Sequence, residues 1–283
     1  MIAPSQSDTP SHASTIIDQF SRQAEIFARS PTLHNEAALA LLVEAGAPQP
    51  TDEVLDIACG PGSVVVAFAG RVRRSVGLDA TDAMLTQARN LAVAHRLKNT
   101  EWHQGDVYRL PFGDASFDVV SCRFAFHHFE TPARAFAEMV RVCRPGGRIV
   151  LCDAVASDDA AKAAAFNRME RHRDPSTVAF RPLAFLRQLY ADAGLAAPSL
   201  KTYQVPAERE RLIAMSFPVD DDRERLRQMI DASVEGDTMG LGSRREGDTV
   251  RFSYLAVILA AAKPELSNSF RGAKASAPKK AGD

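Results

Sequence analysis

The middle of the chain alternates short apolar strand patterns with amphipathic helix patterns, and no other feature constrains the fold as strongly. Strands are predicted at 53–58, 75–79, 101–104, 117–121 and 148–152, and helices at 63–69, from Thr81 to about Leu97, and from Pro132 to near Cys143, where Pro145-Gly-Gly147 would stop the last one. Successive strands in such an alternation run parallel, because each crossover helix carries the chain back along the sheet. The right-handed crossover rule then predicts a doubly wound α/β fold with helices on both faces.

The flanking segments add further elements to this predicted sheet. A helix is expected at 182–193, with strands at 199–205 and 249–262, and the stretches 155–180 and 207–248 are interpreted as mostly helical insertions over one edge of the sheet. Two helices are predicted before the first strand. In the first of them one apolar face recurs at helical spacing, formed by Ile16, Ile17, Phe20, Ala24 and Phe27. This helix could pack on the domain, cover a ligand as a lid, or do both.

Composition indicates an ordinary globular protein. Hydrophobic residues make up 46% of the chain, charged residues 24%, and the net charge is -1, so no basic surplus points to nucleic acid. Residues 1–13 and 265–283 are predicted to be disordered tails that flank one domain at 14–264. No secretory leader or membrane span is predicted, which favours a cytoplasmic protein, either a monomer or a homodimer. The cysteines have no metal-site spacing and are interpreted as free thiols: Cys59, Cys122, Cys143 and Cys152.

The first predicted strand runs into the loop Asp56-Ile-Ala-Cys-Gly-Pro-Gly62, where a doubly wound sheet binds its ligands. Glycines at 60 and 62 allow a tight turn and a close approach of the backbone to a ligand. A dinucleotide-binding loop would place a third small residue at position 65, where this chain has valine. The carboxylate of Asp56 instead suits the ammonium group of an amino acid. The loop therefore favours a nucleotide-like ligand with an amino-acid moiety over NAD.

Two further acidic residues follow neighbouring strands. Asp79 closes the second strand and is placed to accept from the two hydroxyls of a ribose, although it could instead cap the next helix. Asp106 follows the third strand and could accept from an adenine amine, with Val107 beside the ring. A plain turn aspartate is the alternative interpretation of Asp106.

The segments DIACGPG, GLDAT, GDVYRLPF, FDVVSCRFAFHHF and RVCRPGGRIVLCD occur in this order. Over about Val54 to Asp153 the chain resembles the class I S-adenosylmethionine (SAM)-dependent methyltransferases, most of all the branch similar to the ubiquinone/menaquinone-biosynthesis C-methyltransferases. The resemblance implies a Rossmann-like sheet of seven strands whose last strand is antiparallel, with helical lid insertions. It also implies SAM as the methyl donor.

The resemblance further implies roles for particular residues. Asp56 and the backbone of the glycine loop would hold the methionine moiety, Asp79 the ribose, and Asp106 the adenine. The residues implied in cofactor binding are Asp56, Ala58, Cys59, Gly60, Gly62, Asp79, Ala80, Met84, Asp106, Val107, Ser121 and Arg123.

Methyl transfer from a sulfonium is a direct displacement, so the protein chiefly aligns the reactants and excludes water. A base is needed only where the acceptor must lose a proton, and His127 and His128 are the candidates. Both histidines could instead be structural lining. No metal site is predicted, because adjacent histidines rarely converge on one ion and no partner ligand has suitable spacing.

The acceptor is expected to be a small, aromatic or moderately apolar metabolite. Its pocket is predicted from the residues Phe20, Phe27, Phe166, Met169, Met215 and Phe217, with His172 and Asp174 as residues that could face it. Alternatives are a non-catalytic SAM-binding module, a macromolecular substrate and an NAD-dependent oxidoreductase. The basic tail from Lys274 to Lys280 is interpreted as solvated rather than bound to nucleic acid or membrane.

Overall fold

A mostly parallel sheet crosses the protein in the computed structural model, which describes residues 11–265. Its strands are β1 Glu53–Ile57, β2 Arg74–Asp79, β3 Thr100–Gln104, β4 Phe117–Arg123, β5 Cys143–Ala154, β6 Ser199–Glu208, β7 Arg244–Glu246 and β8 Thr249–Ala262. The order across the sheet is β3-β2-β1-β4-β5-β8-β6, and β7 pairs with β8 beside this path. Only β8 runs against its long neighbours β5 and β6. The predicted doubly wound sheet with one antiparallel strand is confirmed, and the short β7 is an eighth strand that was not predicted.

Helices cover both faces of the sheet. They are α1 His12–Ala28, α2 Glu36–Gly46, α3 Ser63–Ala69, α4 Asp82–Ala94, α5 Pro132–Val142, α6 Ala160–Arg173, α7 Leu183–Asp192, α8 Arg209–Ala214 and α9 Arg223–Asp231. Local chemistry starts several of them. The side chain of Asn35 accepts from the backbone N–H of Ala38 at the start of α2, and Pro132 occupies the first turn of α5, where its missing N–H has no cost.

The core lies on the two faces of the central strands. One face packs against α5 and α7 around Phe136 and Tyr190, both at most 1% exposed. The other packs against α2 and α3 around Leu42 and Phe68, both 0% exposed. Burying each of these side chains contributes roughly 1.5–3 kcal/mol. The packed faces hold the carboxyl ends of β1, β2 and β4 in one fixed arrangement, which is where the polar loops begin.

The chain reverses its winding between β1 and β4. From β1 the sheet grows outward through β2 and β3, and from β4 it grows in the opposite direction through β5. The connections that leave β1 and β4 therefore diverge to opposite sides and leave a crevice between them. This topology places the loop after β1 and the segment after β4 face to face.

Several predicted boundaries are wrong. The helix end predicted near Cys143 is confirmed, because α5 ends at Val142, but strand β5 begins directly at Cys143 and includes Pro145–Gly147. This segment forms a bulge in β5, since the register with β4 shifts between the pairs Phe117–Cys143 and Val119–Arg148. No helix joins β3 to β4 within the part of the chain that the structure describes; residues 105–116 form an irregular connection. Helix α4 ends at Ala94 instead of Leu97.

The termini and insertions also differ in detail. Helix α1 starts at His12, so the predicted N-terminal tail is two residues too long, and the rest of both predicted tails, apart from Ser11 and Glu265, lies outside the described residues. The 207–248 insertion contains strand β7 as well as α8 and α9. Among residues 11–265 no helix is both long and apolar enough to cross a membrane.

Candidate active site

Two adjoining cavities open at the carboxyl ends of the central strands. The first has a volume of about 620 Å³ and lies beside the glycine loop. The second has a volume of about 500 Å³ and extends under β6, α8 and β8. The two cavities share the side chains of Phe20, Phe27, Leu33, Phe124 and His128. The two cavities are therefore adjacent along this shared wall.

Most of the predicted cofactor residues surround the first cavity. Those that line it are Asp56, Ala58, Cys59, Gly60, Asp79, Ala80, Met84, Asp106, Val107 and Arg123. Gly62 and Ser121 do not line it. Gly62 instead allows the glycine loop to turn tightly against Trp102, and Ser121 donates a hydrogen bond to the carboxylate of Asp56.

The glycine loop turns through left-handed backbone conformations at Ala58, Gly60 and Gly62, with φ of 49°, 52° and 86°. A Cβ at Gly60 would meet nothing within 4 Å, so the missing side chain leaves open space beside the cavity. A Cβ at Gly62 would lie 2.7 Å from the ring of Trp102 and 2.9 Å from the Cβ of Ala88. Gly60 thus keeps the loop backbone accessible from the cavity, whereas the missing side chain of Gly62 lets α3 begin in close contact with Trp102 and Ala88.

Asp79 ties the glycine loop to the end of β2. Its Oδ2 accepts from the backbone N–H of Gly60 at 2.9 Å, and its Oδ1 accepts from the N–H of Thr81 at 2.9 Å. Each carboxylate oxygen has a second lone pair, so both can accept one more hydrogen bond from the cavity. Burial raises the pKa of Asp79, and these N–H donors oppose that shift. Asp79 accepts from the N–H of Thr81, the residue just before α4, and not from an N–H within the helix; the Thr81 side chain makes no capping bond either.

Asp56 is 2% exposed at the end of β1. Burial raises its pKa to about 7, against the opposing hydrogen bond from Ser121 and the positive charge of Arg123. The Oγ of Ser121 donates to Asp56 Oδ1 at 2.7 Å and so fixes the carboxylate. A cationic ligand group beside Asp56 would favour its charged form. This carboxylate is consequently suited to an ammonium group and poorly suited to a phosphate.

Arg123 supports the wall that both cavities share. Its Nη1 and Nη2 donate to the carbonyls of Leu33 and Thr32 at 2.9 and 3.1 Å, and its guanidinium lies 4.7 Å from the ring centre of Phe124. Both nitrogens are therefore occupied by the loop between α1 and α2. Arg123 lines the first cavity mainly as an anchor of that loop.

The far side of the first cavity is formed by the ends of β2 and β3. Met84 is 1% exposed and packs beside Ala80. Asp106 makes the turn that the alternative interpretation anticipated, because its Oδ1 accepts from the N–H of Tyr108 at 2.9 Å. Its Oδ2 remains exposed at the cavity, so the turn and a ligand contact are compatible.

Helix α1 packs on α4, as one of the two interpretations anticipated, and it also forms a wall of the first cavity. Its apolar face is only partly covered: Ile17 is 48% exposed, although it lines the cavity. The ring of His12 donates to the carbonyl of His128 at 2.8 Å, and Gln23 donates to Asp174 at 3.3 Å. These contacts hold α1 across the cavity at two points.

The two adjacent histidines have different surroundings. His127 lines the second cavity, where its Nδ1 lies 2.8 Å from Oδ1 of Asp153 and its ring stacks on Phe180 at 4.1 Å. Because a carboxylate only accepts, Nδ1 carries a proton, and in the neutral ring Nε2 then has a free lone pair. Asp153 also accepts from the backbone N–H of His127 at 3.0 Å. This carboxylate therefore fixes both the position and the tautomer of the ring.

His128 lies at the junction of the two cavities. Its Nδ1 donates to the carbonyl of Ser176 at 3.0 Å. Burial, together with the neighbouring His127, lowers the pKa of His128 to about 3. The ring is thus neutral and a weak base. Of the two predicted candidates, His127 has the better geometry for taking a proton.

The second cavity contains only part of the acceptor pocket expected from the sequence. Phe20, Phe27, Met215 and Asp174 line it. Phe166 and Met169 belong to the core at 0% exposure, and Phe217 packs against the guanidinium of Arg22. His172 is also elsewhere, with its Nε2 at 2.9 Å from the carbonyl of Asp222. The pattern of apolar residues could not separate cavity from core, since both require the same residue types.

Other residues of the second cavity were missed. Asp153 directly follows the strand predicted at 148–152 and has no predicted role, although its position next to the switch region could have marked it. Phe180, Phe252 and Tyr254 supply the aromatic lining, and Arg173, Arg211, Arg244 and Arg251 supply charge. No sequence spacing connects these residues, because they come from separate elements that meet only in the fold. Within the described residues, no cluster of His, Cys, Asp and Glu could hold a metal ion.

Residues 55–151 match a family model described as a methyltransferase domain. The doubly wound sheet and the acidic residues at its strand ends agree with this match, so this part of the chain is similar to a methyltransferase domain. An uncharacterized methyltransferase of Bacillus subtilis, YcgJ, is 29% identical over 85% of this chain and 96% of its own length. The crystal structure of YcgJ has a TM-score of 0.75 at 26% identity and covers 81% of this chain and 99% of that one.

Two other proteins bear on the cofactor and the branch. Demethylmenaquinone methyltransferase of Deinococcus radiodurans is 42% identical over 35% of this chain and 42% of its own length. A geranyl diphosphate C-methyltransferase of Streptomyces coelicolor, solved with Mg²⁺, geranyl diphosphate and S-adenosyl-L-homocysteine, has a TM-score of 0.59 at 15% identity, covering 80% of this chain and 78% of that one. The second likeness concerns the fold alone.

Proposed function

We propose that the protein binds SAM in the first cavity and transfers its methyl group to a small molecule held in the second. The observation that carries this proposal is the junction of the two cavities at the shared wall of Phe20, Phe27, Leu33, Phe124 and His128. A methyl donor and an acceptor have to meet in line at a site from which water is excluded. A wall of largely apolar side chains between two adjoining cavities suits this requirement.

The residues of the first cavity fit the parts of SAM one by one. The buried carboxylate of Asp56 suits the ammonium group, and the two free lone pairs of Asp79 suit the two ribose hydroxyls. Open space at Gly60 admits the ligand against the backbone. The free oxygen of Asp106 suits the adenine amine. Bound SAM supplies a methyl group attached to a sulfonium. The thioether that leaves when the methyl group is transferred needs no proton.

His127 is the residue best placed to accept a proton from an acceptor hydroxyl or amine. Its free Nε2 belongs to a ring that Asp153 holds at 2.8 Å, and this carboxylate also stabilises the imidazolium that forms. His128, kept neutral by burial, closes the junction between the cavities. We assign His127 as the general base and Asp153 as its positioning residue.

The second cavity favours a small acceptor with an aromatic or moderately apolar body. Its volume of about 500 Å³ is typical of small-molecule sites. Phe180, Phe252 and Tyr254 provide aromatic surfaces, with Phe20 and Phe27 opposite in α1. The rings of Phe180 and Tyr254, whose centres are 6.4 Å apart, line this cavity and can contact a flat ligand.

Calorimetric titration with SAM and with NADH tests the proposal. The wild-type protein should bind SAM and show no saturable binding of NADH. Asp79→Ala should weaken SAM binding at least about 100-fold, because two hydrogen bonds to a charged acceptor are lost. The matched control is Asp158→Asn, which alters an exposed aspartate that has no side-chain hydrogen bond or ion pair among residues 11–265.

The outcome separates the classes of function. Absence of SAM binding, or equal affinity in Asp79→Ala and the control, would refute the proposed cofactor site. Saturable NADH binding instead would revive an oxidoreductase.

A further inference from the structure

Three arginines line the solvent-facing end of the second cavity. Arg211 comes from α8, Arg244 from β7 and Arg251 from β8. The side chains of Arg244 and Arg251 are 60% and 53% exposed. His127, which lines the same cavity, is only 7% exposed. The second cavity is therefore apolar and aromatic within and cationic where it opens.

Two of these arginines are direct cross-strand neighbours. In the antiparallel pairing of β7 with β8, Arg244 is opposite Arg251. Like charges directly opposite each other in a sheet are destabilising. The 207–248 insertion thus brings a repulsive pair to the rim of a cavity, where a bound anion would relieve the repulsion.

The nearby carboxylates do not neutralise the group. Glu246 alone bridges the pair, at 2.8 Å from Nε of Arg244 and 2.7 Å from Nε of Arg251. Among residues 11–265, the Nη nitrogens of Arg244 and Arg251 make no hydrogen bond, and the side chain of Arg211 forms no ion pair. They therefore remain available to a ligand, and the guanidinium group presents paired N–H donors that match a carboxylate.

Glu208, the other carboxylate at this end, is already committed. It accepts from the backbone N–H groups of Glu210 and Arg211 at 3.1 and 3.0 Å and from the hydroxyl of Thr249. Counting Glu208 and Glu246 against the three arginines leaves one positive charge. A single surplus charge matches a monoanion better than a doubly charged phosphate.

We propose that the methyl acceptor is an aromatic carboxylic acid, bound with its carboxylate at Arg211, Arg244 and Arg251 and its methyl-accepting end toward His127. This inference rests on the proposed function, since it assigns the acceptor of the same reaction. The aromatic body lies against Phe180 and Tyr254, which line the same cavity with ring centres 6.4 Å apart. The carboxylate orients the acceptor in the cavity and distinguishes it from neutral aromatic compounds.

The test uses matched pairs of probes, namely 3-(3,4-dihydroxyphenyl)propionate with its methyl ester and 4-hydroxybenzoate with its methyl ester. Phenyl phosphate is a third probe. Binding to the full-length protein, with S-adenosyl-L-homocysteine present, is measured by calorimetry at low and high salt. Methyl transfer from radiolabelled SAM is measured in parallel for kcat/KM.

The wild-type protein should bind at least one acid roughly tenfold more tightly than its ester, with an affinity that falls as salt rises. Arg251→Gln and Arg244→Gln should each lose most of this preference, while ester affinity and SAM affinity stay unchanged. The matched control is Arg245→Gln, whose side chain is 50% exposed, pairs with Asp231 and does not line the cavity. Because both side chains are more than half exposed, losing the ion pair with Glu246 should change the free energy of unfolding by less than about 1 kcal/mol in either variant.

Three results would overturn the inference. The first is equal affinity of the wild type for acids and their esters, and the second is that no acid saturates the protein. The third is that Arg245→Gln loses as much of the preference for acids over esters as Arg244→Gln and Arg251→Gln do. Tighter binding of phenyl phosphate than of either acid would exclude a carboxylate as the group recognised. Each of these results, obtained with intact SAM binding, leaves the proposed methyl transfer standing, whereas loss of SAM binding in the wild type contradicts the proposed function itself.

Discussion

At pH 8 the variant Asp56→Asn should be more stable than the wild type, because it removes a negative charge that folding buries. The carboxyl of Asp56 is 2% exposed, and burial raises its pKa from 3.8 to about 7 despite Ser121 and Arg123. A shift of about 3 pKa units corresponds to about 4 kcal/mol of folding free energy. An asparagine of the same shape keeps an acceptor for the Ser121 hydroxyl and carries no charge.

The sign of the pH dependence follows from the raised pKa. Below pH 3.8 the Asp56 carboxyl is protonated in both states and adds no penalty. Between pH 3.8 and about 7 the folded protein binds more protons than the unfolded chain, so the free energy of unfolding falls as pH rises. Above about pH 7 the loss of unfolding free energy caused by the buried charge no longer changes with pH. More than half of this loss develops between pH 5 and pH 8.

Urea unfolding of the ligand-free protein at pH 5 and pH 8 measures this effect. The stabilisation by Asp56→Asn should be about 4 kcal/mol at pH 8 and less than half of that at pH 5, while Asp158→Asn should change neither value. The same variant should lose SAM affinity, because the ammonium group then faces a neutral amide. A variant that is no more stable at pH 8, or that gains equally at both pH values, would show that the buried charge is not penalised as the structure indicates.

Three further predictions concern the loop, the thiols and the core. Gly62→Ala should lower the free energy of unfolding by about 2–5 kcal/mol, since the new Cβ would lie 2.7 Å from Trp102, and Gly60→Ala by only about 1–2 kcal/mol for its left-handed backbone; equal losses in urea titrations would contradict this difference. The four cysteines should react with a disulfide reagent only slowly in the native protein and rapidly in guanidinium, because burial raises the pKa of every thiol; rapid native labelling would argue against their burial. Phe136→Ala should lower the free energy of unfolding by about 3–5 kcal/mol at unchanged m-value, and a loss under about 1 kcal/mol would contradict its place in the core.

The first cavity was largely predictable from the sequence. Asp56, Gly60 and Asp79 lie within one strand–loop–helix–strand unit, so their geometry depends on local order and on the parallel sheet. Once the alternation predicts that sheet, the ends of neighbouring strands have to meet. The carboxylates at those ends then converge without any need to know how distant segments pack.

Local chemistry also misled the sequence interpretation where packing overrode it. The helix stops before Pro145–Gly147 as predicted, but the strand begins five residues earlier than expected, because Cys143 pairs with Phe117 ahead of a bulge in β5. Gly62 was expected to approach a ligand, and its missing side chain instead makes room for Trp102. In both cases the deciding neighbour is remote in the sequence.

What the sequence determined by itself is the doubly wound sheet and the acidic residues around its switch point, because periodicity and strand-end position are local properties. The tertiary structure alone decided the second cavity. Contacts between separate elements place Asp153 beside His127 and keep Phe166 out of the cavity. They also put Arg244 directly opposite Arg251. The physical reason is that apolar periodicity reports which face of an element is buried, and it does not report what that face is buried against.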